Sequence, residues 1–205
     1  MPTARQFINP HKTLTPFFIV ALMVYYENTR ITSLIYFALH SSYCLNWYIK
    51  EIIFPDKSFD TPISFTTYLL GTAVIYNYWC APWLLMRSQT EPSGFIVVIA
   101  VFLNVVGNFL HYSCDAQKFF VLQERKGLIT NGFFARSRNL NYLGEIMTYL
   151  GLALLSGHWW PVASLTVMVV FVFFPMMWKK DNSLSRYDDY EAYKQQSNLL
   201  IPKLW

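Results

Sequence analysis

The chain has 205 residues, of which 54% are hydrophobic and 14% are charged, with a net charge of +4. Since about a quarter of the residues in a typical soluble domain are charged, this composition excludes an ordinary soluble enzyme. Apolar runs of about 20 residues, the length that crosses a bilayer, recur along the chain. We therefore expect one all-α domain, a polytopic membrane helical bundle. The three cysteines are isolated and predict neither a disulfide framework nor a zinc site.

About six transmembrane helices are predicted from the apolar runs. In chain order they cover residues 14–26, 31–49, 63–86, 94–114, 141–157 and 159–178. The first run is short, so counts from five to seven remain open. Residues 115–140 are predicted to form a solvated basic loop. Residues 179–205 are predicted to form a cap that returns to the membrane interface through Tyr187, Tyr190, Tyr193 and Trp205.

The distribution of basic residues predicts the orientation. With six crossings, both termini and residues 115–140 share one side of the membrane. All Lys and Arg residues except Arg30 and Arg87 then fall on that side. By the positive-inside rule this side is the cytoplasm. We expect an integral, multi-pass protein of the endoplasmic reticulum or of a bacterial inner membrane, with both termini cytoplasmic.

Two stripes of polar side chains occur at helical spacing within the apolar runs. The fourth span carries Asn104, Asn108, His111 and Asp115, and the fifth carries Asn141, Glu145 and Thr148. We expect the stripes to form the walls of a cleft that opens to the cytoplasm. Membrane Asn residues often only hydrogen-bond neighbouring helices, and this alternative stays open for Asn104. An ionisable group such as Glu145 within a span is a functional candidate.

The common nucleotide, metal and hydrolase motifs are absent from the sequence. It contains no G-x-G-x-x-G after a strand, no P-loop, no H-E-x-x-H and no G-x-S-x-G. Its four histidines are scattered, so no metal site is expected. Any bound nucleotide must therefore be held in another way.

Residues 132–145, GFFARSRNLNYLGE, resemble the G-L-[FW]-x-x-S-R-H-P-N-Y-x-G-E signature of the steroid 5-alpha-reductase-like membrane proteins. Residues 115–118, DAQK, look like the D-x-Q-K element that precedes it there. Two further segments are similar to parts of that family. One is the block formed by Leu39–Tyr43, Trp47, Lys50 and Phe54–Asp56, which resembles its uncharacterised bacterial and protist branch. The other is the tail, which ends in the pattern Y-K…I-P. The sequence departs from the pattern at Asn139-Leu140, where His-Pro is common, and at Ser41, where the steroid reductases have Tyr.

The resemblance implies a membrane enzyme that binds NADPH from the cytoplasmic side and reduces an activated carbon–carbon double bond in a hydrophobic lipid. It implies that Asn141, Tyr142 and Glu145 contact the cofactor, with Asp115 and Lys118 nearby. The phosphates of NADPH favour Arg and Lys donors. We therefore expect phosphate contacts from Arg125, Lys126, Arg136 and Arg138. Asn108 is expected near the less charged nicotinamide end, and Tyr193 of the tail is expected to close over the cofactor. The expected partners are the bilayer and the lipid substrate, and none is a nucleic acid.

The proton that completes such a reduction needs a general acid. His40 and Tyr43 are our candidates, with Tyr142 behind them. His40 and Tyr43 are one helical turn apart, which predicts a hydrogen-bonded pair.

Two alternatives stay open. The related isoprenylcysteine carboxyl and phospholipid methyltransferases share an R-H-P-x-Y-x-G element, but S-adenosylmethionine has no phosphates to match the basic loop. A non-catalytic protein on the same scaffold would explain the departures at Ser41 and Asn139-Leu140.

Overall fold

The computed structural model describes residues 1–89 and 91–203, and this part of the chain contains no β-strand. The predicted all-α class is therefore confirmed for the described residues. Trp205 of the predicted cap lies outside them. In chain order the helices are α1 (Arg5–Tyr25), α2 (Ile31–Ile53), α3 (Phe65–Asn77), α4 (Cys80–Ser88), α5 (Gly94–Glu124), α6 (Leu140–Leu155), α7 (Trp159–Met168), α8 (Phe174–Leu184) and α9 (Tyr190–Gln196).

Three helical segments of the described chain are long and apolar enough to cross a membrane. They are Arg5–Tyr25, Gly94–Glu124 and the continuous segment Trp159–Leu184. α6 is a shorter apolar helix. A membrane environment follows from these lengths, whereas the six crossings and the cytoplasmic termini stay predictions. α1 begins nine residues before the predicted first span.

The prediction of one unbroken helix over residues 63–86 is wrong. The segment breaks at Tyr78 and Trp79, between α3 and α4. Pro82 explains the position of the break, because a proline ring collides with the carbonyl group four residues earlier, here that of Tyr78. Proline is tolerated in the first turn of a helix, so α4 resumes immediately.

The prediction that all of residues 115–140 form a loop is also wrong. α5 continues to Glu124, so the first ten residues of this interval are helical. The sequence between residues 115 and 126 contains neither Gly nor Pro to stop the helix. Gly127 follows the end of α5 with a φ of 128°, a conformation that suits glycine.

The last membrane segment departs from regular α-helix where α7 joins α8. Residues Val169–Phe173 form a π-helical turn between them. Pro175 follows directly and cannot donate to the carbonyl group of Phe171, which favours this irregular turn. The segment then runs to Leu184, six residues beyond the predicted end.

α5 and α6 pack with their backbones in close approach. A Cβ atom on Gly107 would lie 2.5 Å from the carbonyl oxygen of Gly144, and one on Gly151 would lie 2.4 Å from that of Ala100. Small residues permit this approach between membrane helices. α6 also contributes Leu152 to a buried core that includes Tyr36 of α2. The α5–α6 pair is the frame on which the candidate site is built.

Candidate functional site

The two polar stripes face each other, as predicted, but they touch directly and enclose no cleft between them in the described part of the chain. Asn104 Nδ2 donates to the carbonyl oxygen of Thr148 at 3.2 Å. His111 Nδ1 donates to the carbonyl oxygen of Asn141 at 3.2 Å. The prediction of an open cleft failed because Gly107 and Gly144 bring the two backbones together. Asn104 therefore has the interhelical bonding role that we had left open.

At the C-terminal end of α5, Asp115 joins three helices. Asn141 Nδ2 of α6 donates to Asp115 Oδ1 at 3.3 Å. Lys50 Nζ of α2 lies 3.5 Å from Asp115 Oδ2, and the Lys50 side chain is 1% exposed. The two predicted cofactor segments, residues 115–118 and 141–145, thus meet at one point. Lys50 was not among our predicted site residues, although it belongs to the Trp47…Asp56 block of the resemblance.

A cavity of about 270 Å³ lies beside this junction, and we call it the lysine cavity. Its polar lining is Lys50, Asp56, Lys57, Asp115, Lys118 and Gln123, and its apolar lining is Phe54, Pro55, Phe119 and Leu122. Lys118 Nζ pairs with Asp56 Oδ2 at 2.9 Å. Partial burial raises the pKa of Asp56, but Lys118 and hydrogen bonds from Ser58 outweigh burial and hold this pKa below its ordinary value.

Arg138 is occupied by the C-terminal segment. Its guanidinium makes a two-pronged contact with Asp181, at 2.9 and 2.8 Å, and donates to the carbonyl oxygen of Ser197 at 2.6 Å. Burial lowers the pKa of Arg138, yet the hydrogen bonds to Asp181 raise it above its ordinary value. The backbone of Asn198 pairs with residues 136–138, donating to Arg136 and accepting from Arg138. The segment after α8 is thereby fastened to the loop.

Asn139, where the sequence departs from the family pattern, also helps to attach the tail to the loop. Asn139 is fully buried, and its Nδ2 donates to the carbonyl oxygen of Leu199 at 2.9 Å. Tyr193 Oη donates to the carbonyl oxygen of Phe134 at 2.8 Å, and burial raises the pKa of Tyr193 to about 12. Lys180 Nζ reaches the Arg138 carbonyl oxygen at 2.7 Å.

Three further predicted residues line a separate, more polar cavity of about 530 Å³, the loop–tail groove. Arg125 and Lys126 form one side, and Tyr193 lies on the other with Asp188 and Asp189. The predicted cofactor residues therefore do not surround one cavity. Lys118 and Asp115 line the lysine cavity, Arg125 and Lys126 line the loop–tail groove, and Arg136 and Arg138 line neither.

Asn108 lines a third cavity, of about 490 Å³, between α2 and α5. We call it the α2–α5 groove. Asn108 Nδ2 donates to the carbonyl oxygen of Asn104 at 2.9 Å. Its buried Oδ1, like that of Asn141, has no hydrogen-bond partner among the described residues.

The predicted hydrogen bond between His40 and Tyr43 is not formed. His40 Nδ1 instead lies 3.3 Å from Tyr36 Oη, because Tyr36 is four residues away and shares its helix face. The ring centroids of His40 and Tyr43 are 6.5 Å apart. His40 Nε2 is buried without a partner in the described chain. Tyr142 packs edge-on against Phe173, with ring centroids 5.1 Å apart.

Glu145 is half-buried and makes no hydrogen bond or ion pair with the described residues. It lies one turn before Tyr149 on α6. A carboxylate within an apolar helix normally has a partner or a function. Glu145 thus remains a candidate ligand contact, as the sequence predicts.

Lys12 of α1 was missed by the sequence analysis. Its side chain is 2% exposed, and its Nζ donates to Tyr149 Oη at 3.0 Å. The same atom lies 3.9 Å from the centroid of the Tyr43 ring, a cation–π contact. No carboxylate of the described residues forms an ion pair with it. The first predicted span begins at residue 14, whereas α1 begins at Arg5 and so includes Lys12.

Comparison with known sequences places most of the chain in one family. Residues 55–197 match the family described as "Protein of unknown function (DUF1295)". The chain belongs to this family. A search of curated proteins finds no match. The DUF1295 segment contains α3 to α9 and therefore the Asp115–Asn141 contact and the Arg138–Asp181 pair.

Several residues around the site lie before the DUF1295 segment. They are Lys12 of α1 and His40, Tyr43 and Lys50 of α2. Lys50 nevertheless pairs with Asp115 inside the segment. The candidate site is therefore assembled from both parts of the chain.

Proposed function

We propose that this DUF1295 protein is a steroid 5-alpha-reductase-like, NADPH-dependent membrane reductase. Its proposed substrate is a hydrophobic lipid with an activated carbon–carbon double bond, and its cofactor site faces the cytoplasm. The observation that carries the proposal is the hydrogen bond between Asn141 and Asp115. It joins the two segments that resemble cofactor-binding elements, beside Lys50 and Lys118.

The chemistry of the available groups fits NADPH. Lys118 in the lysine cavity and Arg125 and Lys126 in the loop–tail groove can each donate to phosphate oxygens. The nicotinamide carboxamide has an NH2 group that needs acceptors, and Asn108 Oδ1 and Asn141 Oδ1 are acceptors without partners among the described residues. When bound, NADPH supplies the hydride.

The remaining predicted cations fit NADPH less directly. Arg138 is already engaged by Asp181 and Ser197, so we propose that it acts by holding the loop in place. Arg136 lies beside it, where its Nη1 donates to the carbonyl oxygen of Lys203 at 3.4 Å. Tyr193 holds the loop through Phe134 and also lines the loop–tail groove.

We propose that His40 or Tyr43 hydrogen-bonds the carbonyl oxygen of the substrate and supplies the proton. His40 Nε2 has no hydrogen-bond partner among the described residues and so can take this role. Tyr43 stacks on the Lys12 ammonium group, which favours any negative charge that develops nearby. Tyr142, at the start of α6, is the third candidate donor.

The test is ligand-induced stabilisation of the protein purified in detergent. NADPH at 100 times its dissociation constant should stabilise the folded state by about 2.7 kcal/mol. NADH and S-adenosylmethionine should stabilise it less. No stabilisation by NADPH would refute the proposal. Stabilisation by S-adenosylmethionine alone would identify a methyltransferase, and no effect of any of the three would favour a non-catalytic protein.

Variants test the placement of the cofactor. Glu145→Gln and Lys118→Met should each weaken NADPH binding, because one removes a carboxylate acceptor and the other a phosphate donor. Arg87→Met is the control, since Arg87 lines none of the three cavities. NADPH binding that is unchanged in both site variants would show that the cofactor lies elsewhere.

A further inference from the structure

The α2–α5 groove and the lysine cavity follow one another along the seam between the same two helices. On α2, Asn46 lines the groove and Lys50, one turn later, lines the lysine cavity. On α5, Asn108 lines the groove and Asp115, two turns later, lines the lysine cavity. Phe54 lines both. One ligand can therefore occupy both spaces, with a charged part in the lysine cavity and a neutral part in the groove.

Polar side chains line the groove, and several of their hydrogen-bonding groups have no partner within the described chain. Ser42 and Asn46 of α2 and Ser113 of α5 form no hydrogen bond with the described residues. Asn108 Nδ2 is bound to Asn104, so its buried Oδ1 is the atom left for a ligand. Polar groups without partners are unfavourable against hydrocarbon. The occupant of the groove should therefore offer both donors and acceptors of hydrogen bonds.

The α5 wall of the groove also carries apolar side chains on the outside of the bundle. Val105 and Phe109 are 55% and 61% exposed. In a membrane these two side chains contact lipid. A hydrophobic substrate can therefore approach a group bound in the groove directly from the bilayer, as the proposed hydride transfer requires.

We propose that the α2–α5 groove binds the nicotinamide ring of NADPH and that Asn46 is a further cofactor-binding residue. Asn46 and Asn108 stand on the two walls of the groove. The Asn46 amide has a donor and an acceptor, which complement the oxygen and the NH2 group of the nicotinamide carboxamide. The inference rests on the proposed reductase function. It adds α2 to a cofactor site that the resemblance assigns to residues of α5 and α6.

Binding of two ligands to the full-length protein in detergent tests this inference. One is NADPH, and the other is 2′-phospho-ADP-ribose, which is NADPH without its nicotinamide ring. Dissociation constants are obtained from the dependence of thermal unfolding on ligand concentration. We expect Asn46→Leu to weaken NADPH binding about tenfold, a change of about 1.4 kcal/mol. Binding of 2′-phospho-ADP-ribose should stay unchanged.

Asn182→Leu is the matched control variant. Asn182 is exposed, lies on α8 and lines none of the three cavities. Both ligands should therefore bind to this variant as they do to the wild type. Asn46→Ala removes the same amide from the groove and decides the result if Asn46→Leu does not fold.

The outcomes separate this inference from the proposed function. NADPH binding that is unchanged in Asn46→Leu would overturn the inference and leave the reductase proposal standing, with the nicotinamide bound elsewhere. Equal weakening of both ligands would also overturn it, because Asn46 would then support the fold or the phosphate contacts. If NADPH does not bind to the wild type, the reductase proposal fails and this inference fails with it.

Discussion

Gly144→Ala should force α5 and α6 apart. A Cβ at position 144 would lie 2.5 Å from the backbone nitrogen of His111 and 2.6 Å from the carbonyl oxygen of Gly107. Both are backbone atoms, so no side-chain rotation can relieve the contact. Overpacking costs about 1–3 kcal/mol, and a clash with two backbone atoms lies in the upper part of that range, at about 2–3 kcal/mol. The better helix propensity of Ala offsets about 1 kcal/mol. The net loss of stability is therefore about 1–2 kcal/mol.

Thermal unfolding in detergent measures this loss. For a chain of this size we expect the midpoint to fall by about 2–8 °C. Gly94→Ala is the matched control, since nothing lies within 4 Å of a Cβ there, and its midpoint should not fall. The same displacement should lengthen the 3.3 Å bond between Asn141 and Asp115 and so weaken NADPH binding. A Gly144→Ala protein as stable as the wild type would refute the close approach of the two backbones.

Two further variants test the Arg138–Asp181 and Lys118–Asp56 ion pairs. Arg138→Ala leaves the carboxylate of Asp181 without its partner and should destabilise the tail by about 3 kcal/mol, seen as faster proteolysis after α8. The double variant with Asp181→Leu should recover much of the loss, and no recovery would argue against the pair. The pKa of Asp56 is lower in the folded state than in the unfolded state. The pairing of Asp56 with Lys118 therefore stabilises the protein at pH values above the unfolded-state pKa of about 4. This stabilisation is lost as the pH falls below that value. Asp56→Asn should therefore flatten the decline of the melting temperature below about pH 4, and a decline as steep as in the wild type would contradict this assignment.

Periodicity in the sequence predicted which side chains would face each other, but not how closely. Asn104 and His111 lie on one face of α5 and do meet α6, because helical spacing alone fixes the face. Whether two such faces enclose a cleft or touch depends on the volume of the residues between them. Here the two faces touch because Gly107 and Gly144 have no side chains to hold them apart. For the same reason, neither glycine was a candidate functional residue.

Contacts between residues that are far apart in the sequence could not be predicted either. The contact of Lys12 with Tyr149 spans 137 residues, and that of Arg138 with Asp181 spans 43. No spacing rule connects such positions. Arg138 was assigned to the cofactor on its charge and its place in a family-like motif, and only the fold reveals the carboxylate that occupies it.

The Lys50–Asp115 pair ties the DUF1295 segment to the helices that precede it. Asp115 lies inside the segment, whereas Lys50, which is 1% exposed, lies before it. Removing one partner of a buried ion pair is strongly destabilising, so Asp115 depends on α2 for its countercharge. Of the proposed proton donors, Tyr142 lies inside the segment, and His40 and Tyr43 lie before it. In this chain the proposed site therefore needs both the DUF1295 segment and the helices that precede it.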